Sequence, residues 1–356
     1  MAAVVGLIAA HVTLHGQSGP AMRGKGLTEV DGLKVGHVTL SERPTGCTVV
    51  LVDGSGAVGG VSQRGGAPGT RETDLLNPLN LVDKVNAIVL AGGSAYGLDA
   101  AQGVVRYLEE RKIGWGVGAA GVVPIVPSAI LFDLSFGDNP RIRPTADCGY
   151  GAASAASDGP VAEGNVGAGA GATVGKVAGR ERSMKAGVGS AAIRLPNGLV
   201  VAALAAVNAI GDVIDPASGQ VVAGVRSADG RALADARALL RDGSLMRAVA
   251  PRTGENSTLA VVATNARLSK IEVNRVALMA DDGLARAINP VHTVGDGDTV
   301  FALATGRWPG TADASIVGAL AADVLAEAIV RAATQAAGLG GLPAARDLGT
   351  VPARYR

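Results

Sequence analysis

The chain has 356 residues, 52 of them glycine, and its 32 basic and 31 acidic side chains leave a formal charge of +1. Apolar residues make up 48%, yet there are only two Trp, four Tyr and three Phe, and the mean hydropathy is +0.30. This balance excludes a disordered chain, the glycines lack the three-residue period of collagen, and the near-neutral charge gives no footprint for nucleic acid.

A core with so few rings is built from Val, Ala, Leu and Ile, with Gly where backbones run close together. The length allows two domains or one large layered one. Residues 1–25 read as an N-terminal extension. Ala2–Ala10 is apolar but lacks a preceding Lys or Arg and a clear small-residue cleavage site. Cytoplasm is therefore the default expectation, with export through an atypical signal as the alternative. His11 and His15 have i, i+4 spacing, but no glutamate lies between them and no third ligand is near. No metal and no cofactor are expected.

Thr45–Val52 (TGCTVVLV) reads as a buried strand. Cys47 within it and the distant Cys148 are too few for a disulfide framework and read as small buried hydrophobes. Gly54, Gly56 and Gly59 match G-x-G-x-x-G after this strand. The following VSQRGGAPGTRETD has no helical period, so a dinucleotide fingerprint fails. Ala87–Ala91 is a second strand, which turns at GGSAYG into a helix over Leu98–Arg111. The glycine run Gly167–Gly179 delivers Lys176. Ala170 and Val177 stand where a phosphate-binding loop needs Gly and Ser/Thr, so that reading fails as well.

Strands follow at Ser190–Leu195 and Leu199–Val207, and a helix at Arg231–Arg241. The longest apolar stretch, Gly198–Ile210, is too short to span a membrane and contains Asn208. PRTGENSTLAVVATNA (251–266) passes abruptly from a polar turn into a β-rich run at Ser257, which puts a hydroxyl at a strand mouth. Ser269 and Glu272 have capping-box spacing and open a third helix. A fourth helix covers Ala312–Ala337, and residues 338–356 read as a loose tail. The whole is an α/β protein with helix-covered sheets.

Six segments, taken in order, carry a resemblance. They are LAGGSAYGLDAAQGV (90–104), VPIVPSAILFDL (123–134), GNVGAGAGATVGK (164–176), AAVNAIGDVID (205–215), GENSTLAVVATNA (254–266) and HTVGDGDTVFALATG (292–306). Together they resemble the DmpA-type aminopeptidases, self-cleaving N-terminal nucleophile hydrolases that include β-peptidyl aminopeptidases and the 6-aminohexanoate-oligomer (nylon oligomer) endohydrolase. The resemblance implies a four-layer αββα sandwich formed by one domain over residues 26–335. It implies self-cleavage of Asn256–Ser257 into an α chain (1–256) and a β chain (257–356), and a tetramer of αβ units. Ser257 would then be the nucleophile, with its own α-amino group, titrating near about 7.7–8.0, as base. Thr258 is the runner-up.

By the same resemblance Asp296 faces the Ser257 hydroxyl, and Asp298 holds Asp296 or the substrate amine. Other members carry Ser and Glu there, so the Asp pair leans toward the nylon-oligomer hydrolase. Asn208 matches an oxyanion-stabilising amide, and Lys176 a lysine beside the nucleophile. Phe132 stands where some members have Tyr, which removes a hydroxyl donor. Gly93, Ser94 and Tyr96, in the Gly92–Gly97 turn, would shape the substrate pocket with Phe132. The implied substrates are peptides with a free N-terminus or short synthetic polyamides, with no nucleic-acid or membrane partner. An acyl-transferase of the ornithine acetyltransferase type and a catalytically silent binding homologue are the alternatives.

Overall fold

In the computed structural model residues 24–247 and 256–356 are described. In chain order the main elements are strands β1 (Leu33–Thr39), β2 (Gly46–Val52), β3 (Ala57–Gln63), β4 (Thr70–Arg71), β5 (Lys84–Val85) and β6 (Ala87–Ala91), then helix α1 (Ala100–Glu109). Strand β7 (Ser128–Ile130), helix α2 (Ala146–Ser154), strands β8 (Val188–Arg194) and β9 (Val200–Asn208) and helix α3 (Ala236–Arg241) follow. The last elements are strand β10 (Ser257–Thr264), helices α4 (Lys270–Ala280) and α5 (Asp282–Ala287), strand β11 (Thr299–Ala304) and helix α6 (Ala314–Thr334).

Two sheets stack between two helical layers. One has strand order β1-β2-β6-β7-β4 and the other β8-β9-β10-β11-β3-β5. Between them lie Val50, Ile88 and Leu90 from the first sheet and Leu204, Val261 and Phe301 from the second. The alternate residues Val49 and Val89 face α1 and α2 through Ala101, Val104 and Ala152. Val201, Val262 and Ala302 face α4 and α6 through Val276, Leu325 and Ile329. Since both faces of β2, β6, β9, β10 and β11 are covered, these strands are buried throughout and largely apolar instead of alternating. The layering is αββα, as the resemblance implies.

Glycine sets the layer spacing. A Cβ on Gly103 would stand 1.7 Å from the Ala146 carbonyl, and one on Gly149 1.8 Å from that of Ala100, so α1 and α2 touch backbone to backbone. Gly189 likewise lets β8 approach α6, where a Cβ would lie 2.1 Å from the Ala328 carbonyl. The expected capping box forms at α4: the Ser269 hydroxyl accepts from the Glu272 N–H, and the Glu272 carboxylate accepts from that of Ser269. Gly59 lies inside β3, in keeping with the rejection of a dinucleotide loop.

Three expectations need correction. Cys47 and Cys148 are buried, as expected, but they form a disulfide between β2 and α2 with a Cα–Cα distance of 6.3 Å. A separation of 101 residues says nothing about distance once α2 packs on the sheet. The helix expected over Arg231–Arg241 begins only at Ala236, because Arg226 and Leu233 pair as a β-bridge and Asp235 caps the helix on the Arg237 N–H. The segment 338–356 is not loose. Ala344 and Ala345 are fully buried, the Pro343 carbonyl accepts from the Lys185 N–H at 2.8 Å, and the Thr350 hydroxyl donates to the Val222 carbonyl at 2.6 Å. Packing held by irregular hydrogen bonds leaves no periodicity to read. His11, His15 and the Ala2–Ala10 stretch lie outside the described residues, as do 251–255 of the turn before Ser257. Among the described residues no helix is long and apolar enough to cross a membrane.

Candidate active site

Sheet register assembles the site. β9 and β10 are antiparallel, with Asn208 opposite Ser257, the last residue of one strand and the first of the other. β10 and β11 are parallel, so both begin at this same edge, and a bridge between Asn256 and Asp296 extends their ladder outward. The edge therefore gathers Asn208, Ser257 and the loop carrying Asp296 and Asp298, all at most 3% exposed.

At the centre is the carbonyl oxygen of Asn256. The Ser257 hydroxyl donates to it at 2.5 Å and the Gly297 N–H at 2.8 Å. A Cβ on Gly297 would stand 2.5 Å from Ser257 Oγ, so only glycine fits against the hydroxyl. Thr258, the runner-up, is fully buried, and its hydroxyl has no hydrogen-bond partner among the described residues.

Lys176 and Asn208 meet at this edge. Lys176 Nζ donates to Asn208 Oδ1 at 2.8 Å and to its backbone carbonyl at 3.1 Å. The Thr173 N–H reaches the same Oδ1 at 3.1 Å, which fixes the amide's orientation. Asn208 Nδ2 donates to the Phe132 carbonyl at 2.9 Å. Phe132 thus contributes its backbone oxygen, while its ring is half-buried.

Asp296 hydrogen bonds to Thr293. Its Oδ2 accepts from the Thr293 N–H at 2.8 Å and hydroxyl at 2.7 Å, while Oδ1 is buried with no hydrogen-bond partner among the described residues. Burial first, and then the Asp298 charge, push the Asp296 carboxyl above the ordinary range, against the Thr293 hydrogen bonds and the Lys176 charge. Asp298 Oδ1 accepts from the Thr258 N–H at 2.7 Å, and its Oδ2 meets His292 through the backbone N–H at 3.1 Å and Nδ1 at 3.0 Å. Asp298 thus braces the residue after Ser257.

The GGSAYG turn backs onto the segment that meets Asn208. The Gly93 N–H donates to Asp133 Oδ1 at 2.9 Å and the Ser94 N–H to the Leu131 carbonyl at 3.0 Å. Asp133 is held in turn by a fully buried pair with Arg43 at 2.8 Å. Tyr96 is 59% exposed, with the Arg143 guanidinium 3.7 Å from its ring centroid. It lies on the surface, stacked with Arg143. Among the described residues no group of three or more His, Cys, Asp or Glu could hold a metal ion.

Sequence reasoning pointed to the glycine between Asp296 and Asp298, which is Gly297, but gave no role to Thr173, Thr293 or His292. His292 opens the HTVGDGDTVF segment, so the motif contained it, but its partner Asp281 comes from the junction of α4 and α5.

The chain is similar to several known proteins. It is 45% identical over 350 residues to an uncharacterized aminopeptidase of Mycobacterium leprae (strain TN), covering 89% of this chain and 92% of that one. It is 32% identical over 321 residues to a 6-aminohexanoate-oligomer endohydrolase of Kocuria sp. (strain KY2), covering 85% and 84%. Its fold matches that of an L-aminopeptidase D-Ala-esterase/amidase from Ochrobactrum anthropi, described as a variant of the Ntn hydrolase fold. That match has a TM-score of 0.66 at 20% identity and covers 93% of each chain. The signature of Peptidase family S58 matches residues 25–346. With its αββα layers and a serine at the mouth of a central strand, the chain belongs to Peptidase family S58, the DmpA-type aminopeptidases.

Proposed function

We propose that this protein is a self-processing amide hydrolase that cuts its own Asn256–Ser257 bond and then uses Ser257 as an N-terminal nucleophile. The observation that carries this reading is the convergence of the Ser257 hydroxyl and the Gly297 N–H on the Asn256 carbonyl oxygen. The hydroxyl lies beside the carbon it would attack, and the N–H is aimed at the oxygen where charge would develop.

Processing runs in two steps. Ser257 Oγ bonds to the Asn256 carbonyl carbon, the C–N bond breaks, and the hydroxyl proton ends on the released nitrogen, which becomes the Ser257 α-amine. Water then opens the ester, leaving the Asn256 carboxyl group and a free Ser257 hydroxyl. Asp296, its carboxyl raised by burial and by Asp298, is the group assigned to relay the proton. In the mature enzyme the α-amine takes the hydroxyl proton as Oγ attacks a substrate amide, and passes it to the leaving amine. Lys176 and Asn208 hold the polar side of the site. Gly93, Ser94, Tyr96 and Phe132 are assigned to the substrate side.

The relatives' names support amides as the substrate class, either the N-terminal residues of peptides or 6-aminohexanoate oligomers. The mature unit would be αβ, assembled as a tetramer. The Ser257→Ala protein tests the reading. It is expected to stay as one chain and to lose at least about a thousandfold in amide hydrolysis. Retained hydrolysis in that protein would overturn Ser257 as nucleophile and turn attention to Thr258.

A further inference from the structure

We propose that His292 is a positioning residue for the nucleophile: clamped between the buried carboxylates of Asp281 and Asp298, its imidazolium fixes Asp298 on the Thr258 N–H and so sets where β10 begins. The inference rests on Ser257 being the nucleophile.

The geometry forms a relay from the surface inward. Arg64 Nε lies 3.5 Å from Asp281 Oδ2, and the Ser62 hydroxyl, on β3, donates to that oxygen at 2.6 Å. The other Asp281 oxygen lies 3.5 Å from His292 Nε2. These two atoms are buried and have no closer hydrogen-bond partner among the described residues, so each is the other's polar neighbour. On its far side the ring meets Asp298 Oδ2 at 3.0 Å, and Asp298 Oδ1 accepts from the Thr258 N–H at 2.7 Å. One peptide unit beyond is Ser257. His292 also sits at φ 55°, a left-handed conformation uncommon for residues other than glycine, which aims its N–H as well at Asp298.

A cation at this point offsets the acids around it, and burial raises the Asp281 carboxyl against the pull of His292 and Arg64. Asp281 and Asp298 face the imidazole, and Asp296 lies behind Asp298. On the β3 side the cation acting on the ring, among the described residues, is Arg64, which is shared with Asp282 on α5 at 3.2 Å. Burial lowers the affinity of His292 for its proton, but the Asp298 hydrogen bond and the charges of Asp281 and Asp298 outweigh it, so the net shift is upward. Raising the pH through that elevated value removes the charge, releases Asp298 from its clamp, and slows catalysis.

The test uses purified His292→Ala and His292→Asn proteins beside wild type. Asparagine tolerates the left-handed backbone and can keep one hydrogen bond to Asp298, but it carries no charge. His292→Ala is expected to lower kcat about 10- to 100-fold with KM changed less than about threefold, and to lose the alkaline fall in kcat. His292→Asn is expected to recover part of kcat without restoring that fall. An unchanged alkaline limb in both variants, or losses in kcat that simply follow losses in Tm, overturns the proposal.

Should either variant fail to process, the His292 ring is titrated by NMR in the uncut Ser257→Ala protein. It is expected to titrate above the ordinary value of about 6.5, and Asp281→Asn is expected to lower it. Titration at or below about 6.5 that ignores Asp281→Asn overturns the proposal. Full hydrolysis by Ser257→Ala would defeat the nucleophile assignment instead, and that outcome is read independently of the titration.

Discussion

Gly297 shows how little room surrounds the Asn256–Ser257 bond. Its N–H holds the Asn256 carbonyl, and an added methyl would press on Ser257 Oγ at 2.5 Å and on the Ala67 carbonyl at 2.8 Å. Gly297→Ala is therefore expected to slow self-cleavage at least about tenfold, measured as the time course of the two fragments on a denaturing gel. Processing at the wild-type rate would mean that the loop yields and that the N–H is not an oxyanion donor. Asn208 and Lys176 act on the same scale. The lysine reaches both oxygens of the asparagine, and this orients the amide toward Phe132 before any substrate arrives. These contacts could be anticipated only as family positions. An isolated Asn in an apolar strand and a Lys in a glycine run have no local pattern that pairs them. His292 was still less visible, because its meaning depends on Asp281, which the fold brings from another element.

At the scale of elements, two buried features give measurable consequences. The Asp212 carboxylate, on strand Asp212–Ile214, accepts from the Val225 and Ala236 N–H groups, both at 2.7 Å, and so ties down the segment leading into α3. Burial pushes this acid up to about 6 despite those hydrogen bonds. The folded chain then keeps a proton that the unfolded chain has released, so stability falls as pH rises from about 4 to about 6, by up to roughly 3 kcal/mol. Urea denaturation of the uncut Ser257→Ala protein should show this slope, and Asp212→Asn should reduce it. A slope unchanged by that substitution would contradict the assignment. The second feature is the bond between β2 and α2. Without reductant, unfolded protein should show no titratable thiol, and Cys148→Ser should cost about 2–5 kcal/mol. Two free thiols per chain would contradict the pairing. Elements were legible where a local rule sufficed: the capping box at Ser269, the apolar runs of β2, β6 and β9, and the sharp onset of β10 at Ser257. The disulfide and the packed 338–356 segment depend on distant partners, so neither composition nor periodicity announces them.

In the whole molecule, the glycine excess and the active site share one cause. Layers that meet backbone to backbone at Gly103, Gly149 and Gly189 need no aromatic filler, and the same economy of side chains brings the Asn256 carbonyl, Gly297 and Ser257 into one sealed edge. The two sheets supply the rigid frame, and the parallel start of β10 and β11 places Ser257 and the loop carrying Asp296 and Asp298 side by side. The central claim is that this arrangement cuts its own chain and that the new terminus is the catalyst. Intact-mass spectrometry of the purified active protein tests it most directly. The account predicts two chains that part between Asn256 and Ser257, their masses summing to the full-length mass plus one water, and a Ser257→Ala protein that remains whole at about 35.2 kDa. A fully active wild-type protein found only as one unbroken 35.2 kDa chain would contradict it.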